Sequence, residues 1–99
     1  LCLDSQLRKL HFKKLFFGST NFCSVSIKQT LRYAIQQHAS FIVIAHNHPF
    51  GEVRPSVEDI EMTQQLKQAC ECVEIKLIDH IIVAKQATFS FAEQRLLNL

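Results

Sequence analysis

Apolar positions along the chain change period several times, and each change marks an element. Residues 8–17 (RKLHFKKLFF) alternate, with Leu10 and Phe12 set against His11 and Lys13. A two-residue period predicts a strand with one buried face. The phase slips at Lys13-Lys14, after which Leu15 and Phe17 carry the apolar side, so a bulge is expected there. Ahead of this strand, Leu1-Cys2-Leu3 reads as the end of another, and Asp4-Ser5-Gln6 as turn chemistry. Gly18-Ser19-Thr20-Asn21 closes the second strand. Ser26-x-x-Gln29 then has the form of a capping box, so a helix is expected to about His38. Its inward stripe is Ile27, Leu31, Ala34, Ile35 and His38, at 3.6-residue spacing.

Phe41–Ala45 is apolar throughout, as in a central strand covered on both faces. Pro49 and Pro55 bracket the next loop, and Gly51 gives it a place to bend. Ser56 caps a helix running to about Cys70, with Val57, Ile60, Leu66, Ala69 and Cys70 expected to face inward. Val73, Ile75 and Leu77 alternate with Glu74 and Lys76, and this strand continues through Ile78–Ala84. Lys85-Gln86 turns the chain into a last strand at Ala87–Phe91, and residues 92–97 follow as a short helical turn. The order is β-β-α-β-α-β-β, an α/β fold with a mixed β-sheet flanked by helices in one domain, residues 1–99. One crossover links the 8–17 strand to Phe41–Ala45, right-handed if the two run parallel.

Composition narrows the class. At 99 residues and 47% apolar, the chain can build a single core. No apolar run approaches the roughly 20 residues of a membrane span. The chain opens at Leu1 with nothing of a signal peptide, and reads as an excised piece of a longer cytoplasmic protein, truncated at its N-terminal strand. Cys2, Cys23, Cys70 and Cys72 form no regular framework and read as reduced thiols. Net charge is +2, but residues 1–40 hold six basic side chains against Asp4 alone, a balance of +5. Such a half can face nucleic acid, although lysines on a strand more often block edge-to-edge pairing.

The chemistry gathers between Phe41 and Asp59. Ser56-x-x-Asp59 at a helix start is first of all a cap, with Asp59 favoured by the helix dipole. His46 and His48 leave the end of the apolar strand two residues apart, so both rings point to one side, about 7 Å apart at Cβ. That end of a central strand is where α/β folds usually bind ligands. A short loop can return the Asp59 carboxylate to both rings. Two neutral imidazoles and one carboxylate leave a tetrahedral zinc with an open position. Water there would be acidified to a pKa near 7, and Ser56, one turn before Asp59, would offer its hydroxyl to a developing oxyanion.

His46-x-His48, seven residues, Ser56-x-x-Asp59 resembles the H-x-H-x(7)-S-x-x-D motif of the JAMM (MPN-type) zinc metalloproteases. The surrounding residues are similar to the bacterial RadC family, also called UPF0758. They are AHNHP at 45–49, Pro55-Ser56, Asp79-His80 within LIDHIIV, Gly18, Ser24-Val25 and SFAE at 90–93. The resemblance covers essentially the whole chain. It implies a JAMM/MPN (cytidine deaminase-like) architecture, with His46, His48 and Asp59 as Zn2+ ligands and Ser56 supporting the tetrahedral intermediate. It implies a hydrolase acting on peptide or isopeptide bonds, and a historical link to DNA repair. Two departures stand out. Phe50 occupies a loop position where the family commonly has serine, and the glutamate that handles the proton of the metal's water has no match, its place falling a few residues before Leu1. General-base help is worth about 10²–10⁴-fold in rate, so these 99 residues are expected to bind metal and turn over poorly.

Asp79 shares parity with Val73, Ile75 and Leu77 and is expected to face inward, where a carboxylate needs a partner. That partner is a ligand histidine, with Asp79 steadying the ring, or else His80 or a backbone group. The rival function is a nucleic-acid-binding module with a vestigial metal site, resting on the basic half. A zinc deaminase would need H-x-E and P-C-x-x-C, and Asn47-His48 with Cys70-Glu71-Cys72 supply neither.

Overall fold

The computed structural model describes residues 1–12, 27–48, 53–85 and 87–98. The expected bulge at Lys13-Lys14, the turn at residues 18–21, the Ser26 cap, Cys23 and the loop residues Pro49, Phe50 and Gly51 lie outside them. In order come β1 (Cys2–Leu3), β2 (Lys9–His11), α1 (Ile27–Gln36), β3 (Phe41–Asn47), α2 (Val57–Cys72), β4 (Lys76–Val83) and β5 (Thr88–Ser90). A 3₁₀ turn at Leu96–Asn98 ends the described chain.

The five strands form one mixed sheet in the order β2-β1-β3-β4-β5. β1 runs antiparallel to both β2 and β3, so β2 and β3 point the same way with β1 between them. The adjacent parallel pair is β3 with β4, joined through α2. Its register is regular except at one place: Ile42 pairs with Leu77 and Val43 with Asp79, leaving Ile78 as an extra residue in β4. A bulge of this kind reverses the side-chain parity that follows it. Before it Ile75 and Leu77 are buried; after it the buried residues are His80 and Ile82.

One core cluster joins Tyr33 and Ala34 of α1, Met62, Leu66 and Cys70 of α2, Ile42 of β3, and Leu77 and Ile82 of β4. Phe91 and Leu97 close it from the C-terminal segment. Each large side chain sealed there contributes about 1.5–3 kcal/mol. The other face of β3 is more open than a strand covered on both sides: Phe41 and Val43 are half-buried, and Ala45 and Asn47 are exposed.

Both helices turn their inward stripes a little from the expected ones. In α1 the buried residues are Thr30, Tyr33 and Ala34, while Ile35 is exposed. In α2 the stripe is Asp59, Met62, Thr63, Leu66 and Cys70. Val57, expected inward, is 67% exposed, because it lies two residues, about 200° of helix, from Asp59. The carboxylate has taken the inward position. Each helix ends in a left-handed residue, His38 (φ 54°) after α1 and Glu74 (φ 61°) after α2. The N–H groups of Ala39 and Ile75 then reach back to the carbonyls of Ala34 and Cys70, the closure of a Schellman motif. His38 therefore stands just past its helix.

Candidate metal centre

β3 carries His46 and His48 out of the sheet on the same face as Ile42, toward the start of α2. The end of β3 is fixed by its parallel pairing with β4 and by the His48 N–H, which donates to the Val83 carbonyl at 2.9 Å. Opposite, Ser56 and Asp59 form the expected capping box. The Asp59 N–H donates to Ser56 Oγ (3.0 Å), and the Ser56 N–H donates to Asp59 Oδ2 (2.8 Å). The box therefore does more than begin a helix, since it pins one carboxylate oxygen of a residue only 2% exposed.

Three side chains converge. His46 Nε2 lies 2.9 Å from His48 Nε2 and 3.7 Å from Asp59 Oδ1, and His48 Nε2 lies 3.5 Å from Asp59 Oδ2. Among the described residues these three form the group of histidine, cysteine and carboxylate donors that could hold a metal ion. Ligand atoms about 2.0–2.2 Å from a tetrahedral zinc stand about 3.3–3.6 Å from one another. The observed separations bracket that range, so the donor set fits such an ion in number, type and spacing. Burial, opposed by the Asp59 charge and reinforced by His48, holds the His46 ring below the usual histidine range, and so in the neutral form a metal requires.

Behind this group lies a second layer absent from the expectations. His80 is fully buried, its ring stacked on Phe91 at 4.4 Å between centroids. Its Nε2 meets His46 Nδ1 at 2.9 Å and its Nδ1 meets Thr63 Oγ1 at 2.7 Å. Burial, then the neighbouring His46 ring, pushes His80 down to about 3. Asp79 has turned the other way. Its Oδ1 accepts the N–H groups of His80 (2.7 Å) and Ala92 (3.0 Å), and its Oδ2 accepts the Ser90 hydroxyl (2.7 Å). Of the three partners expected for Asp79, a ligand histidine, His80 or a backbone group, the structure gives it backbone N–H groups, and it is His80 that meets the His46 ring. The reason is Ile78: parity carried across the bulge points Asp79 inward, and the extra residue reverses it. The adjacent Asp-His pair was the available signal.

Elsewhere, His11 on β2 touches the Tyr33 hydroxyl, and Cys2, Cys70 and Cys72 are free thiols. No described helix is long and apolar enough to cross a membrane.

Two helices against one mixed sheet, with histidines at the end of its parallel strand pair facing a helix-capping aspartate, define a JAB/MPN-type domain. The chain matches the RadC-like JAB domain over residues 1–96, and it belongs to that family. It is 68% identical over 98 residues to a UPF0758 protein of Acinetobacter baumannii, covering 99% of this chain and 42% of that protein. It is 67% identical to a UPF0758 protein of Acinetobacter baylyi (99% and 36%), and 54% identical to one of Psychrobacter sp. (94% and 41%). The chain thus spans well under half the length of the curated relatives it matches.

Proposed function

We propose that this domain is a zinc-dependent hydrolase of peptide or isopeptide bonds, with His46, His48 and Asp59 as the ligands. The observation that carries the reading is the meeting of His46 Nε2, His48 Nε2 and the Asp59 carboxylate within one ion's reach. A zinc ion held there would supply Lewis acidity and lower the pKa of a bound water toward neutrality. The chain's own residues do the rest. The capping box aims the carboxylate, and burial keeps His46 neutral. Ser56 Oγ accepts from the Asp59 N–H, which leaves its hydroxyl proton to donate to an oxyanion developing on a substrate carbonyl.

The JAMM pattern also calls for a glutamate, and the converging donors among the described residues include none. These 99 residues are therefore expected to bind zinc and to hydrolyse slowly. Elemental analysis of protein purified without chelator tests the reading. One zinc per chain in the wild type, lost in His46→Ala, supports it; a metal-free wild type, or a His46→Ala variant that keeps its zinc, sinks it. Rapid metal-dependent peptidase activity from this chain alone would overturn the expected slow turnover. We place the protein in the cytoplasm.

A second reading, a nucleic-acid-binding module, draws on Arg8 and Lys9 exposed beside Leu10 and Phe12. It is the weaker of the two, because Arg8 Nε is held by Asp4 at 2.8 Å. Steeply salt-dependent DNA binding lost in Lys9→Gln would favour it.

A further inference from the structure

We infer that Thr63 and His80 are positioning residues: a one-way chain of hydrogen bonds from α2 through β4 to β3 fixes which nitrogen of His46 faces the metal. The inference rests on the metal reading above and deepens it.

The direction of the chain follows from counting protons. A threonine hydroxyl has one hydrogen. Thr63 donates it to the Asp59 carbonyl at 2.6 Å, a bond back along its own helix. Toward His80 Nδ1, at 2.7 Å, Thr63 Oγ1 can then only accept, so His80 carries its proton on Nδ1. A neutral imidazole with Nδ1–H has a bare Nε2, and that nitrogen, 2.9 Å from His46 Nδ1, accepts in turn. His46 is thereby an Nδ1–H tautomer as well, and its lone pair sits on Nε2. Nε2 is the atom that faces His48 Nε2 and Asp59 Oδ1. Were Thr63 a donor to His80, each tautomer would invert and His46 would offer a proton where a ligand needs a lone pair.

The chain also closes on itself. It starts at the backbone carbonyl of Asp59 and ends at a nitrogen 3.7 Å from the Asp59 carboxylate. One helical residue therefore supplies both an anchor for the relay and a ligand atom. Every member is held: Thr63 is 1% exposed, His80 is fully buried, and Phe91 lies flat against the His80 ring. No buried side-chain nitrogen or oxygen among the described residues lacks a partner. Hydrogen bonds aligned head to tail in this way polarise one another, which raises the basicity of the terminal nitrogen.

Two measurements on the whole 99-residue chain test this. The first uses metal-free protein at about pH 8, above the ordinary histidine range. Nitrogen-resolved NMR of the side chains is expected to find His46 and His80 both protonated on Nδ1. A proton on Nε2 of His80 overturns the relay. The second measures zinc affinity by chelator competition. Thr63→Val keeps the shape and removes the hydroxyl, and is expected to weaken zinc about 10–100-fold. Thr63→Ser is expected to restore it. Wild-type affinity in Thr63→Val, with melting confirming a folded variant, overturns the inference. A wild type that takes up no zinc sinks the metal reading instead, and the tautomers then decide the relay by themselves.

Discussion

Two of the strand pairs in this sheet, one at its edge and one in its middle, make opposite use of similar residues. At one edge, β1 and β2 pair over two and three residues, β2 is exposed throughout, and Leu7, Leu10 and Phe12 all face outward. Its histidine, His11, touches one tyrosine hydroxyl. In the middle, β3 and β4 pair over seven positions of β3, and His46, His80 and His48 just past the end of β3 each contact at least one other histidine. The difference lies in burial and in what faces the strands. Behind β3 and β4 stands a capped helix whose inward stripe includes a carboxylate and a hydroxyl, and these order the rings. An imidazole at an open edge has water as an alternative partner at every angle, so its neighbours impose little.

Mutations at the two places should therefore separate widely. The largest gap is expected between two phenylalanines. Phe91→Ala removes a fully buried ring that also backs His80 and should cost about 3–5 kcal/mol in urea unfolding. Phe12→Ala, at a residue 64% exposed, should stay within about 0.5 kcal/mol. Similar losses for the two would erase the distinction. Next comes Asp79→Ala, which strands two backbone N–H groups and a hydroxyl and should cost about 1–3 kcal/mol. Zinc affinity should hold, and a fall matching that of Thr63→Val would place Asp79 in the metal's support after all.

Ser56→Ala sharpens the picture at the helix start. Loss of the cap should cost about 1 kcal/mol in thermal melts. The Ser56 N–H still reaches Asp59 Oδ2, so zinc stoichiometry should remain one per chain. A further effect is confined to alkali. Burial, with Glu71 nearby, pushes the Cys70 thiol up to about 11. Above pH ~9 the unfolded chain then releases a proton that the folded chain keeps, so stability falls as pH rises from ~9 toward 11. Cys70→Val should flatten that slope, and exposed Cys72 should react with thiol reagents long before Cys70 does.

The sequence shows the element order and the converging triad because both depend on short-range relations. His46 and His48 share a strand face by spacing alone, and Ser56 with Asp59 spells a helix start. What it conceals depends on register between distant strands. Val57 reads as apolar and inward, yet the stripe of α2 is set by Asp59 meeting two rings. Asp79 reads as inward by alternation, and no local residue announces that β4 takes up an extra one. His80 and Thr63 lie 17 positions apart and acquire a joint role only when α2 packs on β4.

Ile78 carries none of the chemistry, yet it chooses between neighbours. Two polar side chains of opposite kind follow it in the chain, an acid and then a base. A perfectly even strand would have shown the acid to the His46 ring and the base to the outside. By absorbing a single step of backbone, one isoleucine settles which of them the interior receives.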